Sequence, residues 1–175
     1  DFADNALAGA EQLSAAYRTG VTMGTEIQAR DGETPLLLAW AARDPDSAAL
    51  QRLQIIKGWS VHGESFEKVY DVACADGGSV NPDTHRCPDN GATVDLGNCA
   101  ISPNLGAGEL KARWVDPDFN AAHRAFYYVR ALENPTCRWS TWDALRAGVA
   151  PREGLQATIQ ERVWSSAIWY QSAQS

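Results

Sequence analysis

Between Ala125 and Tyr170 the chain gathers the residue types that carry chemistry: Arg130, Glu133, Arg138, Glu161 and Arg162 stand among tryptophans and tyrosines. Side chains of both charges in so short a stretch fit a polar recognition cleft, or ion pairs that fasten one segment to another. Successive side chains of a strand point to opposite faces, so Glu161 and Arg162 diverge and the five groups cannot all converge. Ion pairs that fix a helical insert to a sheet are therefore the favoured reading. The seven tryptophans offer a stacking platform for a sugar. Trp59, Trp114 and Trp164 suit core or strand-end positions better, which leaves Trp139 and Trp142 as candidates for exposed stacking. Arg138, Trp139, Trp142 and Glu161 form the candidate ligand-binding or interdomain surface.

Cys74, Cys87, Cys99 and Cys137 lie in or beside segments rich in turn residues, where a cross-link restrains an otherwise loose unfolded chain. Two disulfides are expected. Sequence alone leaves every pairing of the four open, and nearness along the chain favours Cys74 with Cys87 and Cys99 with Cys137. Zinc is the rival, because His85 and Cys87 lie close together with Cys74 nearby, but neither a CxxC nor an HxxxH pair is present. Disulfides imply an oxidising compartment, the periplasm or the exterior. Asp83, Asp89 and Asp95, with Asp76 and Asn90, are oxygen ligands of the kind that suits calcium. They lack the EF-hand order and its closing glutamate, so Asx turns in a solvated loop are favoured. His62, His85 and His123 stand far apart, and the chain has no HxH pair, GxSxG elbow, HExxH or phosphate-cradling glycine loop. No catalytic residue, metal or cofactor is assigned to this chain.

The elements that must position these residues are mostly strands. A chain of 175 residues suits one domain with a sizeable core. Acidic residues outnumber basic ones by 22 to 15 and no Lys/Arg patch forms, so nucleic acid is not an expected partner. The longest apolar run, Pro35 to Ala42, is too short for a membrane span. Asp1 opens the chain without methionine or signal peptide, as a mature product or a cut segment would. Leu7, Ala10, Leu13 and Tyr17 repeat with helical spacing, predicting a helix over Asp4 to Thr19, with Gly20 where a helix C-terminus wants a residue tolerant of positive φ. Residues 1–30 are thus a helix with a glycine-containing connecting loop, and residues 31–175 a β-sandwich-like domain.

Within that domain, strands are expected at Leu36–Ala42, Leu53–Gly58 and Phe66–Cys74, the last with Tyr70, Val72 and Cys74 on one face. A polar loop fills Gly77–Gly91. Leu110–Trp114 reads as a half-buried strand, and Ala125–Glu133 as a central strand covered on both sides. Ser140 or Thr141 caps a short helix through Leu145, with Asp143 in its first turn and Gly148 at its end. Thr158–Trp164 and Ala167–Tyr170 complete a mainly β sandwich.

The segments Gly20–Gly24 (GVTMG), Leu53–Trp59 (LQIIKGW), Val69–Ala73 (VYDVA), Trp114–Phe119 (WVDPDF), AFYYVR, RWSTWDA and TIQER follow one another in a particular order and spacing. From about Gly20 to Tyr170 the chain resembles the C-terminal region of the family catalogued as domain of unknown function 3604. The resemblance implies a relation to the PHP superfamily of metal-dependent phosphoesterases, whose metal-holding barrel would lie upstream. AFYYVR and SSAIWY also resemble the last strands of immunoglobulin-like sandwiches. The implied role is a non-catalytic C-terminal accessory domain of an exported PHP-like hydrolase, with the upstream domain as partner and any divalent metal there. The alternative is an independent secreted module for a glycan or small molecule. GVTMGTEI departs from the family's GVPMGGDL-like pattern at Thr22, Thr25 and Glu26.

Overall fold

Alternation along Leu50–Val61 sets the architecture. Leu53, Ile55 and Lys57 turn to one face, while Gln54, Ile56 and Gly58 turn to the other. The computed structural model describes residues 7–28 and 33–172. Its elements are α1 (Ala10–Thr19), β1 (Glu26–Gln28), β2 (Leu36–Ala42), β3 (Leu50–Val61), β4 (Glu64–Cys74), β5 (Val94–Asp95) and β6 (Ala100–Ile101). There follow β7 (Glu109–Val115), β8 (Arg124–Glu133), β9 (Thr136–Cys137), α2 (Trp139–Ala147), β10 (Thr158–Ile159), β11 (Arg162–Trp164) and β12 (Ile168–Gln171).

A six-stranded sheet runs β1-β12-β8-β3-β4, with β11 also paired to β8; β1 joins parallel to β12 and the other pairings are antiparallel. A β2–β7 ribbon, Leu36 opposite Val115, covers one face of it. Leu37, Ala39, Leu110 and Ala112 of the ribbon interlock with Leu53, Ile55, Ala125, Tyr127 and Ala131 of the sheet, giving two buried clusters between the layers. This is a two-layer, mainly β fold with a helix near each end of the chain. The β3–β4 hairpin turns through His62 and Gly63, both at positive φ (51° and 86°), the geometry whose twist matches that of the paired strands.

Several sequence expectations change. Of the helix expected from Asp4, residues 4–6 lie outside the described residues and 7–9 are turn, so it begins at Ala10; Gly20 is extended (φ −108°) rather than left-handed, its N–H closing on Ala16 O. Glu26–Gln28, within the expected connecting loop, is a strand because it finds an open edge at β12. Tyr70 and Val72 face the core, but Cys74 does not share their side: Gln54 pairs with Asp71 and Leu53 with Ala73, so Val72 is an extra residue that reverses the alternation beyond it. β8 is central, yet Phe126, Tyr128 and Arg130 on its outer side are only half-buried, because the ribbon covers the inner side. α2 begins at Trp139 without a side-chain cap, Asp143 falls after its first turn, and Thr141 Oγ1 donates to Ala157 O at 2.7 Å instead. Gly148 does end it in the left-handed region (φ 64°). The expected Thr158–Trp164 strand breaks in two, β10 pairing with β9 and β11 with β8.

Gly58 sits mid-strand for a steric reason. A Cβ there would stand 2.2 Å from the ring of its cross-strand partner Phe126, which lies over the glycine and meets Trp169 (centroids 5.1 Å) and Tyr128 (6.3 Å). Gly58→Ala is expected to lower stability by about 1–3 kcal/mol through overpacking. In the Phe126→Leu background the same change should cost clearly less in urea unfolding; equal cost in both backgrounds would remove the ring from the explanation.

Candidate functional site

Strand alternation forces Lys57 into the inter-layer space, and the chain answers with Asp116. Lys57 Nζ lies 2.6 Å from Asp116 Oδ2, with side-chain exposures of 3% and 1%. Nζ also donates to Asp118 O at 2.7 Å and sits 5.1 Å from the Trp59 ring centroid. Asp116 Oδ2 accepts from Tyr127 OH at 2.8 Å, and Oδ1 accepts from Asp118 N at 2.9 Å. Asp118 extends the network outward, accepting from Tyr70 OH and pairing with Lys68. LQIIKGW, VYDVA, WVDPDF and AFYYVR thus meet at one buried cluster. Its donors and acceptors are spent on each other, which suits a lock between layers better than a group that works on a substrate.

The cysteines are joined Cys74–Cys87 and Cys99–Cys137, spanning 13 and 38 residues. By loop length these contribute about 3 and about 4 kcal/mol. His85 packs on Tyr70 at 5.0 Å, apart from His62 and His123. The candidate calcium ligands form turns: Asp89 Oδ1 accepts from Gly91 N, Asp95 Oδ1 from Gly97 N, and Asp83 N donates to Asn81 Oδ1. Among the described residues no group of three or more His, Cys, Asp or Glu is placed to hold a metal. Nor, among them, is any helix long and apolar enough to cross a membrane.

The expected ion-pair clamp is corrected. Among the described residues Arg130, Glu133, Arg138, Glu161 and Arg162 make no ion pair with one another. Arg130 Nε donates to Gln54 Oε1 at 2.7 Å, Glu133 accepts from Ser47 Oγ, and Glu161 serves through its carbonyl, which accepts from Glu133 N. The insert is held instead by the Cys99–Cys137 bond and by Arg138 N and Thr141 Oγ1, both donating to Ala157 O. Neutral backbone partners do this at lower desolvation cost than buried charges.

Held this way, α2 buries Thr141 and Ala144 and turns the other side outward. Trp139 is 71% exposed and Trp142 37%, three residues apart on one helical face, with the Arg146 guanidinium 5.3 Å from the Trp142 ring. Val149 and Leu155 are exposed just beyond. Trp164, expected at a core or strand-end position, ends β11 and is exposed on the outer side of the sheet, as is Trp169. The sequence carries no signal for Trp169, nor for Arg52, Asp71 and Arg86, whose meeting depends on the β4 bulge and the Cys74–Cys87 loop.

Burial, the hydrogen bond to Asp118 and the nearby Asp116 charge hold the Tyr70 hydroxyl well above the usual tyrosine range; burial and Asp116 do the same to Tyr127. Tyr170 is raised by burial alone. Hydrogen bonds from Lys68 and Tyr70 keep Asp118 below the usual carboxylate range. The folded tyrosines keep protons that the unfolded chain loses near pH ~10, so their stabilisation is present below about pH 10 and lost as pH rises above it. Asp118 acts oppositely, its contribution present above about pH 4 and lost as pH falls through its depressed folded value. In an alkaline titration followed by tyrosinate absorbance, Tyr70 and Tyr127 should ionise only as the protein unfolds; their ionising near pH ~10 in the native state would contradict the buried network.

No curated protein and no solved structure matches the chain. A family model does, over residues 1–172. The chain belongs to that family, which is described as protein of unknown function (DUF3604).

Proposed function

We propose that this chain is a non-catalytic accessory domain of an exported, PHP-like metal-dependent hydrolase of the phosphoesterase class, with its α2 face turned toward the metal-holding domain. The observation that carries the reading is the outward face of α2. A short helix tied down by a disulfide and two backbone acceptors nevertheless presents Trp139 and Trp142 to solvent. Tryptophans held at low conformational cost are the usual anchors of protein interfaces. The resemblance of the ordered motifs to a C-terminal region supports a catalytic domain upstream. Two disulfides fit the periplasm or exterior as the site of action. Any divalent metal would belong to that other domain.

The chain alone, assayed on phosphoesters with added manganese or zinc, is expected to give no turnover; metal-dependent turnover by it would overturn the accessory reading. Mixed with the metal-holding domain encoded upstream, it should bind, and Trp139→Ala with Trp142→Ala should weaken binding by about tenfold or more. An independent ligand-binding module would show no such association.

A further inference from the structure

The outer face of the six-stranded sheet has a chemistry of its own. Register places Trp164, Arg130, Gln54 and Asp71 in one cross-strand row, on β11, β8, β3 and β4. Arg162 and Arg52 lie in the next row, either side of Leu132. The Asp71 side chain is fully buried and its acceptor positions are filled. Oδ1 takes Gln54 Nε2 at 2.6 Å and Arg86 Nη1 at 3.5 Å, while Oδ2 takes Cys87 N at 2.7 Å and Arg52 Nη1 at 3.4 Å. Gln54 Oε1 holds Arg130 Nε at 2.7 Å, and Gln51 Oε1 holds Nε and Nη2 of Arg52 at 3.0 and 2.5 Å.

Two guanidiniums are therefore held by one edge each. Among the described residues, Nη1 and Nη2 of Arg130 and Nε and Nη2 of Arg86 meet no protein acceptor. Two arginines share the Asp71 carboxylate and Arg130 stands beside it across Gln54, which leaves a local surplus of positive charge in a chain whose net charge is −7. Arg162 adds to it, and Glu67, the acid on this face of β4, stands two rows away opposite Gly58. Like charges so placed repel, and an oxyanion relieves the repulsion while accepting the open N–H groups in the fork geometry that guanidinium favours. Beside the fork, Trp164 is 53% exposed and offers an indole face.

We propose that this face binds an acidic oligosaccharide, with a carboxylate or sulfate on the open edge of Arg130, a sugar ring against Trp164, and Arg86 and Arg162 drawing in further anionic groups along the oligomer. A saccharide is favoured because both disulfides suit an oxidising, extracytoplasmic setting where acidic glycans are encountered. Its residues come from β3, β4, β8, β11 and the Cys87 loop, none of them from α2, and the proposal stands whether or not a hydrolase domain accompanies the chain.

The test uses the 175-residue chain. It is titrated by calorimetry and by NMR of the arginine Nε–H and tryptophan Nε1–H groups with three probes: an oligogalacturonate, a neutral galacto-oligosaccharide of equal length, and sodium sulfate. The oligogalacturonate should bind saturably, move the Arg130 Nε–H and Trp164 Nε1–H signals, and weaken with salt. Arg130→Gln and Trp164→Ala should each reduce affinity by about tenfold or more. Trp164 is exposed, so its removal leaves the fold intact and reports on the ligand alone. The proposal is overturned if the neutral oligosaccharide binds as well as the acidic one. It fails equally if sulfate matches the oligogalacturonate with no effect of Trp164→Ala, or if none of the three binds.

Discussion

A lysine between two sheets is the constraint around which this fold is arranged. An ammonium taken out of water costs several kcal/mol unless a counter-charge and further acceptors meet it there. Asp116 supplies the charge, Asp118 O a second acceptor and Trp59 a ring face. Asp116 in turn needs Tyr127 OH and Asp118 N to fill its own oxygens. These partners come from β3, β8 and the corner after β7, so satisfying one lysine fixes the register of the ribbon on the sheet. Pro117 helps, since it restricts the backbone at the corner and contributes no N–H needing a partner.

The two surfaces follow from what that lock leaves uncovered. The ribbon covers the inner face alone, so β8 and β11 show Phe126, Tyr128, Arg130 and Trp164 on the other side. The bulge at Val72 brings Asp71 and Cys74 onto the same outer face, and the Cys74–Cys87 bond then carries Arg86 and the Cys87 amide to Asp71. At the other end, Cys99–Cys137 ties the small β9–β10 pair and α2 to a long loop, so that a nine-residue helix with little contact to the sheet can hold its tryptophans in place. Both surfaces combine aromatic groups with arginines on rigid supports, the combination expected for recognition.

Much of the fold was legible because period-two alternation is strong where one face is buried: Leu36–Ala42 matched to the residue, and β4, β7 and β8 to within about two residues at each end. What escaped reading depended on tertiary partners. Glu26–Gln28 carries too short a pattern to announce a strand, and it forms one because β12 offers an edge. The bulge at Val72 has no local signature, so the side on which Cys74 falls could not be anticipated. The charged cluster in Ala125–Tyr170 was visible, but its partners were not; Arg130 turns to Gln54, 76 residues away in the chain. Trp164 read as a core or strand-end residue, and it closes β11 at a strand end, exposed on the outer face. Lys57 lay in full view within LQIIKGW, and only its place on the inner face reveals why the motif contains it.

LQIIKGW, WVDPDF and AFYYVR build one inter-layer lock around Lys57. A double-mutant cycle on Lys57 and Asp116 in urea tests it most directly. Lys57→Met and Asp116→Asn should each lower stability by about 3–5 kcal/mol, because each strands a buried partner. The double variant should lose far less than their sum, since both charges are then gone. Additive losses, or single losses within about 0.5 kcal/mol of zero, would contradict the lock.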